Sequence, residues 1–138
     1  MSPPAFPSSP YVAAGGALGS WLRFLVGRAW VLAIGPIAAS TFPWATLTVN
    51  VAGSFAMGMF AGWLARFGAP HGSSGEAWRL LLSVGVLGGF TTFSSFSLEF
   101  ALLIERGTLG IAAIYVAASL AAGFAGLFAG LYAMRVLA

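Results

Sequence analysis

The side chains best suited to chemistry in this sequence are concentrated in one stretch, LGGFTTFSSFSLEF, which runs from Leu87 to Phe100. Two adjacent glycines precede five hydroxyl side chains, four phenylalanines and a carboxylate. Hydroxyls can donate hydrogen bonds, and the edges of aromatic rings are electropositive. A face that carries both offers an environment for an anion, and it lacks a fixed positive charge that would trap the ion.

The elements that position this stretch must lie in a membrane. Of the 138 residues, 59% are hydrophobic and only 7% are charged, whereas a soluble domain has roughly a quarter of its residues charged. We therefore expect an all-α integral membrane protein. The basic residues are single, scattered arginines that form no patch, so nucleic acid is not an expected partner. Without cysteine there are no disulfides or thiolate metal sites.

Four segments are long and apolar enough to cross a bilayer as helices, which takes about 20 residues each. They cover about residues 11–34, 44–65, 78–104 and 109–134. Residues 1–10, rich in proline and serine, are expected to form a short tail rather than a cleaved signal peptide, and residues 11–138 a single membrane domain. The loop GAPHGSSGEA carries His71, which we interpret as a solvated residue. This pattern is typical of a multi-pass protein of a bacterial inner membrane.

The glycine pair Gly88-Gly89 predicts a break in the third span, within Gly88 to Thr92. Non-helical backbone at membrane depth is tolerated only where protein or a cavity covers it. We expect carbonyls from Gly88 to Thr91 to be freed there, as in cation sites built from unwound membrane helices. A second half-helix should begin near Thr92. Phe93 and Phe96 would then share one of its faces, because residues three apart are neighbours on a helix.

The arginines are divided almost equally between the two ends of the four spans: Arg66, Arg79 and Arg135 at the end that holds both termini, and Arg28 and Arg106, with Arg23 deeper, at the other. The positive-inside rule needs a bias to fix orientation. The nearly equal numbers of arginines at the two ends predict insertion in both orientations and an antiparallel, dual-topology homodimer. The alternative is a small bias supplied by the tail or by His71.

Polar residues recur every four positions on two other spans, so each set shares a helix face: Thr46, Asn50 and Ser54 on the second, and Tyr115, Ser119 and Gly123 on the fourth. Single hydroxyls can be satisfied in ordinary helix contacts, but the amide of Asn50 has several donor and acceptor sites. An intramembrane charge usually marks a pathway or a partner. Arg23 and Glu99 therefore either pair with each other or line a pathway.

Glycines and serines at the same spacing allow helices to approach closely. The sets are Gly15-xxx-Gly19, Gly58-xxx-Gly62, Ser119-xxx-Gly123 and Gly126-xxx-Gly130. For each set, the sequence is compatible with packing within one subunit and with contact between two subunits.

Three segments resemble the Fluc family of fluoride channels, also called CrcB: GGALGSWLR (Gly15 to Arg23), TLTVNVAGSFAMG (Thr46 to Gly58) and GGFTTFSSFSLE (Gly88 to Glu99). They lie in order on the first three spans, and the third is highly specific. The resemblance covers essentially the whole chain after the tail. It implies a passive, fluoride-selective channel that exports cytosolic fluoride and gives resistance to it. It also implies an antiparallel homodimer in the lipid bilayer, with two pathways at the subunit interface.

The same resemblance implies roles for individual residues. Phe93 and Phe96 match the pore phenylalanines, and Asn50 matches the asparagine at the pathway entrance. Arg23 matches an arginine near the aqueous vestibule, and Glu99 a glutamate that we place near the end of the pathway. The remaining candidates are hydroxyl groups: Tyr115 and Ser119 resemble the polar track of the fourth span, and the residue types alone add Thr92, Ser94 and Ser95 as donors.

The resemblance implies one cofactor, a structural Na⁺ on the two-fold axis, bound by the backbone carbonyls of Gly88 and Thr91 in both subunits. Two positions depart from the family pattern. Ser95 stands where many members carry threonine, which keeps the hydroxyl. Gly123 stands where the track often continues with serine, so the far end of the track is expected to differ here.

Two other functions fit parts of the sequence. A small dual-topology, proton-coupled multidrug exporter also has four spans, but it needs a carboxylate in its first span, where this chain has Arg23 and Arg28. A non-transporting assembly factor would account for the glycine spacing and leaves Asn50 and the FTTFSSF face unexplained. One histidine and three acidic residues offer no catalytic triad or metal cluster, so an enzyme is not expected.

Overall fold

The computed structural model describes residues 9–68 and 72–137. In these ranges the chain forms seven α-helices and one π-helical segment: α1 (Ser9–Ile34), α2 (Pro36–Thr41), α3 (Trp44–Phe67), α4 (Gly72–Arg79), the π-helical segment (Leu80–Leu87), α5 (Gly88–Phe90), α6 (Phe93–Glu105) and α7 (Leu109–Leu137). Four helical stretches, Ser9–Ile34, Trp44–Phe67, Gly75–Glu105 and Leu109–Leu137, are long and apolar enough to span a membrane. The prediction of an all-α membrane protein with four spans is confirmed. Predictions on residues 1–8 and on His71 lie outside the described residues.

The third span is interrupted at Thr91 and Thr92. Both have extended backbone, with φ −82° and ψ 158° at Thr91 and φ −153° and ψ 120° at Thr92. The break lies inside the predicted range, but the prediction that the glycine pair causes it is wrong. Gly88 is helical, with φ −64° and ψ −37°, and the Thr91 N–H still donates to the Leu87 carbonyl at 3.0 Å.

Gly85 and Gly89 of the third span serve packing against α1 instead. A Cβ at Gly89 would lie 2.6 Å from the carbonyl oxygen of Gly16, and a Cβ at Gly19 would collide with the carbonyl oxygen of Val86. The two backbones therefore touch directly, which is what small residues at membrane helix contacts permit. Of the two alternatives for Gly15-xxx-Gly19, packing within one subunit is the one observed.

The helices α3 and α7 form the other close pair. A Cβ at Gly58 would collide with the Leu127 carbonyl oxygen, and one at Gly130 with the Phe55 carbonyl oxygen. The spaced glycines of both helices are therefore also used inside one subunit. The Ser119-xxx-Gly123 set differs, because the nearest atom to a Cβ at Gly123 would be the Ser54 Oγ, 3.9 Å away.

Two short helices were not predicted. Gly35, with φ +83°, makes the turn after α1 that glycine tolerates best, and Pro36 then opens α2. The segment predicted as a loop before the third span is helical from Gly72 onward, as α4. Both helices lie at ends of the bundle, where their polar residues need not enter the membrane.

Candidate functional site

Asn50 fixes the break in the third span. Its Nδ2 donates to the Thr92 carbonyl at 3.0 Å, and its Oδ1 accepts from the Thr92 N–H at 2.8 Å. The amide thus occupies both backbone groups of one extended residue, as a neighbouring strand would. The sequence predicted that Asn50 needs several hydrogen-bond partners, and the structure supplies them from the backbone of the break.

Thr92 begins the second half-helix. It is 8% exposed, and its Oγ1 accepts from the Ser95 N–H at 3.1 Å, the standard N-cap contact. The same oxygen lies 3.1 Å from the Ser95 Oγ and 3.3 Å from the Ser94 Oγ. The three hydroxyls predicted as donors therefore form one cluster at the start of α6.

A cavity of about 320 Å³ lies against the break. Asn50, Ser54, Thr91, Thr92 and Phe93 contribute to its lining, so α3 and the interrupted third span share it. Polar groups that would be costly in contact with lipid are thus gathered at one concave surface.

The two predicted pathway phenylalanines differ in their surroundings. Phe93 is 79% exposed, whereas Phe96 packs against the buried cluster that contains Tyr115. The ring centroids of Phe93 and Phe96 are 5.8 Å apart, and those of Phe96 and Tyr115 are 5.1 Å apart. The rings of Phe93, Phe96 and Tyr115 thus form a row that extends from the break to α7.

Glu99 lies at the end of this row of rings, next to Tyr115. Its Oε2 accepts from the Tyr115 hydroxyl at 2.7 Å, and its Oε1 accepts from the Thr46 Oγ1 at 2.7 Å. Among the described residues no bond joins Glu99 to Arg23, so the alternative of an internal Arg23–Glu99 pair is not realised within the subunit. Thr46, which the sequence placed in an ordinary helix contact, was missed as a site residue. Its position one turn before Asn50 was the available signal.

Ser119 lies one turn beyond Tyr115 on α7. Its Oγ is buried and has no hydrogen-bond partner among the described residues. A buried hydroxyl without a partner costs about 1–3 kcal/mol. Such a group therefore calls for a water molecule or an ion beside it.

The last turn before the break carries the predicted carbonyl ligands. The Thr92 N–H, which would close the helical bond to Gly88, is bonded to Asn50 instead. The carbonyls of Gly88 and Thr91 thus belong to a helix end, where the last carbonyls lack helical donors. Backbone carbonyls are suitable oxygen ligands for a hard cation, so these residues fit the expected Na⁺, although two carbonyls do not complete a coordination shell.

The fold and the site define a multi-pass helical membrane protein with a polar and aromatic track along one interrupted span. The family model described as CrcB-like protein, Camphor Resistance (CrcB), matches residues 10–131. The chain belongs to the CrcB family.

The chain is similar to proteins named "Fluoride-specific ion channel FluC" from three organisms. The protein from Novosphingobium aromaticivorans is 55% identical over 115 residues, which are 83% of this chain and 86% of that protein. The one from Rhodospirillum centenum is 56% identical over 108 residues, 78% of this chain and 79% of that protein. The one from Caulobacter vibrioides is 55% identical over 108 residues, 78% of this chain and 80% of that protein.

Proposed function

We propose that this chain is a fluoride-selective, passive ion channel that lets cytosolic fluoride leave the cell and so gives resistance to it. The names of the relatives give fluoride as the ion, and they describe channels rather than enzymes. The observation that carries the proposal is the track Phe93, Phe96, Tyr115 and Ser119. It begins at the break and includes a buried hydroxyl that has no partner within residues 9–68 and 72–137.

The chemistry of the track suits a small, strongly hydrated anion. A selective pathway must replace the water around fluoride with many short donors. The hydroxyl cluster of Thr92, Ser94 and Ser95 supplies donors near the break, and Ser119 supplies one farther along. The edges of Phe93 and Phe96 add weak positive potential, so the ion is stabilised without being held too tightly to leave.

A homodimer accounts for features that one subunit leaves incomplete. The Phe93 ring is 79% exposed although it lies beside polar groups of the break. Gly88 is exposed, and a Cβ there would meet only the Ser83 carbonyl oxygen, at 3.8 Å, so packing within the subunit does not require a glycine. A second copy lying on this face would cover both residues. The near balance of arginines favours the antiparallel arrangement, with two pathways at the interface.

The same arrangement completes a cation site. The carbonyls of Gly88 and Thr91 from two subunits would provide four oxygen ligands around the two-fold axis. Na⁺ bound by these carbonyls would supply a structural charge between the two helix ends, each of which carries partial negative charge. No proton transfer or bond cleavage is required of it.

The remaining assignments concern the surroundings of the channel. The described part of the chain forms four apolar helices, as a multi-pass membrane protein does. We place it in the inner membrane of a bacterium, in contact with lipid along its exposed apolar faces. Arg23, half-buried on α1 and not bonded to Glu99, would attract fluoride to the aqueous end of the pathway.

Fluoride efflux from proteoliposomes, recorded with an ion-selective electrode beside a parallel chloride measurement, tests this function. We expect rapid fluoride loss without chloride loss. Phe93→Ile should reduce the fluoride flux sharply, because it removes the ring edge. It should leave the dimer intact, because isoleucine keeps an apolar side chain at the proposed interface. Phe128→Ile is the matched control, since Phe128 is 65% exposed and lies on α7 between Gly126 and Gly130, away from the track.

The outcomes separate the competing functions. Fluoride flux that is unchanged in Phe93→Ile would reject the assigned track while keeping the channel. Absence of fluoride flux from well-folded wild-type protein would reject the channel, and exchange of protons for cationic drugs would then support an exporter that uses Glu99.

A further inference from the structure

Two cavities meet at Glu99, at the end of the bundle where α1 and α6 finish. One of about 380 Å³ is lined by Arg28, Trp30, Trp44 and Glu99 among others. The other, of about 180 Å³, is lined by Ser40, Glu99, Leu103 and Arg106 among others. Both also contact Ala39 and Pro43. We call the two together the Glu99 vestibule. Each half contains one arginine.

The carboxylate at the meeting point presents an electrostatic problem for an anion pathway. Its two oxygens accept hydrogen bonds from Thr46 and Tyr115, which hold the carboxylate at this point. A negative charge beside the route of an anion repels it, and in a partly desolvated site the repulsion is stronger than in water. An anion can pass only if nearby positive charge offsets the carboxylate.

The arginines of the vestibule are placed to provide that charge. Arg106 donates from Nη1 to the Ser40 carbonyl at 3.4 Å, so its guanidinium is directed toward α2 and the smaller cavity. Arg28 lines the larger cavity from α1. Glu105, next to Arg106 in the chain, is not among the residues that line either cavity. The vestibule therefore holds two positive side chains and one negative one.

We propose that Arg28 and Arg106 attract fluoride to the Glu99 end of the pathway by offsetting the charge of Glu99. This inference rests on the proposed channel function, and it assigns to both arginines more than anchoring at the membrane surface. They act as positioning residues: they raise the local concentration of the anion at the mouth, and the conducting track begins beyond them.

The proposal predicts a dependence on ionic strength. Screening is weak at 0.01 M salt, where the Debye length is about 30 Å, and strong at 1 M, where it is about 3 Å. Charge that steers an ion to a cleft raises its entry rate at low ionic strength by roughly tenfold or more. Entry limits the flux when fluoride is dilute, so the effect should be visible in initial rates.

The experiment compares Arg106→Gln and Arg28→Gln with Arg79→Gln in proteoliposomes. Initial fluoride efflux is recorded at low fluoride, with potassium gluconate setting the ionic strength. In the proposed antiparallel dimer each membrane face presents one copy of every arginine, so all three variants remove the same charge from each face. They differ in position alone, because Arg79 lines a separate cavity with Trp63 and Trp78.

We expect Arg106→Gln and Arg28→Gln each to lower the efflux roughly threefold to tenfold at about 0.01 M salt, and less than about twofold at about 1 M. Arg79→Gln should change it less than about twofold at both. Arg106→Lys should restore most of the flux, because it keeps the charge. Gel filtration establishes that each variant remains a folded dimer.

Two results would overturn the inference. An equal loss in Arg106→Gln and Arg79→Gln at low salt would show a general surface-charge effect. A loss in Arg106→Gln that is the same at both ionic strengths, without rescue by lysine, would show that Arg106 only ties α6 to α2 through Ser40. Either result leaves the channel itself in place, whereas a wild-type protein without fluoride flux would reject the proposed function.

Discussion

The two halves of the third span are held in place by different kinds of contact. The first half, Leu80–Leu87 and Gly88–Phe90, contacts α1 through backbone atoms, and glycines leave no room for a side chain at that contact. The second half, α6, is held through polar side chains: Asn50 bonds its entry, and Thr46 and Tyr115 bond Glu99. Steric fit fixes one half, and directional hydrogen bonds fix the other.

This difference shows where ion chemistry is possible. A backbone-to-backbone contact has no space for a solvated ion and presents no side-chain donors. In the second half, exposed Phe93 and the hydroxyls of Ser94 and Ser95 remain available beside a cavity. The break at Thr91 and Thr92 thus separates the half of the span that packs against α1 from the half that carries the polar and aromatic side chains.

Enlarging a glycine in the first half should have the largest effect. Gly19→Val places a Cβ against the Val86 carbonyl oxygen, and rigid backbone cannot move aside as a flexible side chain would. We expect loss of the folded protein, measured as the monodisperse yield in detergent. Gly27→Val is the matched control, since a Cβ at Gly27 meets nothing within 4 Å. A normal yield of Gly19→Val would contradict this packing.

Gly88→Leu tests whether a second copy covers the exposed face at the break. Within one subunit the position is helical and open, and leucine has a higher helix propensity than glycine, so the subunit itself should fold. In the proposed dimer the same side chain would obstruct the partner and the cation site. We expect folded monomer with little fluoride flux, measured by light scattering and efflux. An intact, conducting dimer would place the interface elsewhere.

Asn50→Ala removes the link between α3 and the break. The Thr92 N–H then loses its partner, at a cost of about 1–3 kcal/mol if it stays dry. Since about 1.4 kcal/mol corresponds to a factor of ten, we expect fluoride flux to fall roughly fivefold or more while the dimer persists. Ser83→Ala is the control and should retain most of the flux, because the Ser83 hydroxyl bonds the Arg79 carbonyl one turn before it and does not line the cavity at the break. Wild-type flux in Asn50→Ala would reject the role of the break in conduction.

Tyr115→Phe should have the smallest effect of the four. It deletes one hydrogen bond to Glu99 and keeps the ring that packs on Phe96. A hydrogen bond to a charged group contributes about 1.5–3 kcal/mol, part of which water in the vestibule can replace. We expect a several-fold change in fluoride flux. Tyr132→Phe is the matched control on the same helix, because Tyr132 is 68% exposed, and a similar change in both variants would contradict a specific role for Tyr115.

Several parts of the site were predicted from residue types, and others depended on which helices pack together. Asn50 was singled out because an amide in a membrane needs several partners, and the break was placed within five residues by the local sequence. The assignment of the break to Gly88-Gly89 failed because glycine weakens a helix in isolation but permits one to pack closely. Nothing local distinguishes these two uses.

The Glu99 end illustrates the same limit. The sequence offered Arg23 as the partner of Glu99 by charge alone, whereas the structure brings Thr46 and Tyr115 to it from two other helices. The separation of these residues along the chain carries no information about their distance in space. The π-helical segment and the short helix α2 were missed for a related reason, since both depend on how neighbouring elements meet.

The sequence by itself determined the membrane environment, the four spans, the position of the break to within a few residues and the family of the protein. These follow from composition, from the length of apolar runs and from local motifs, because lipid requires every span to satisfy its own backbone. Only the tertiary structure decided that Gly89 packs against α1 rather than breaking the helix, that Asn50 bonds the backbone of Thr92, and that two arginines flank Glu99. These depend on contacts between distant segments, and such contacts are selected by the steric fit of whole helices.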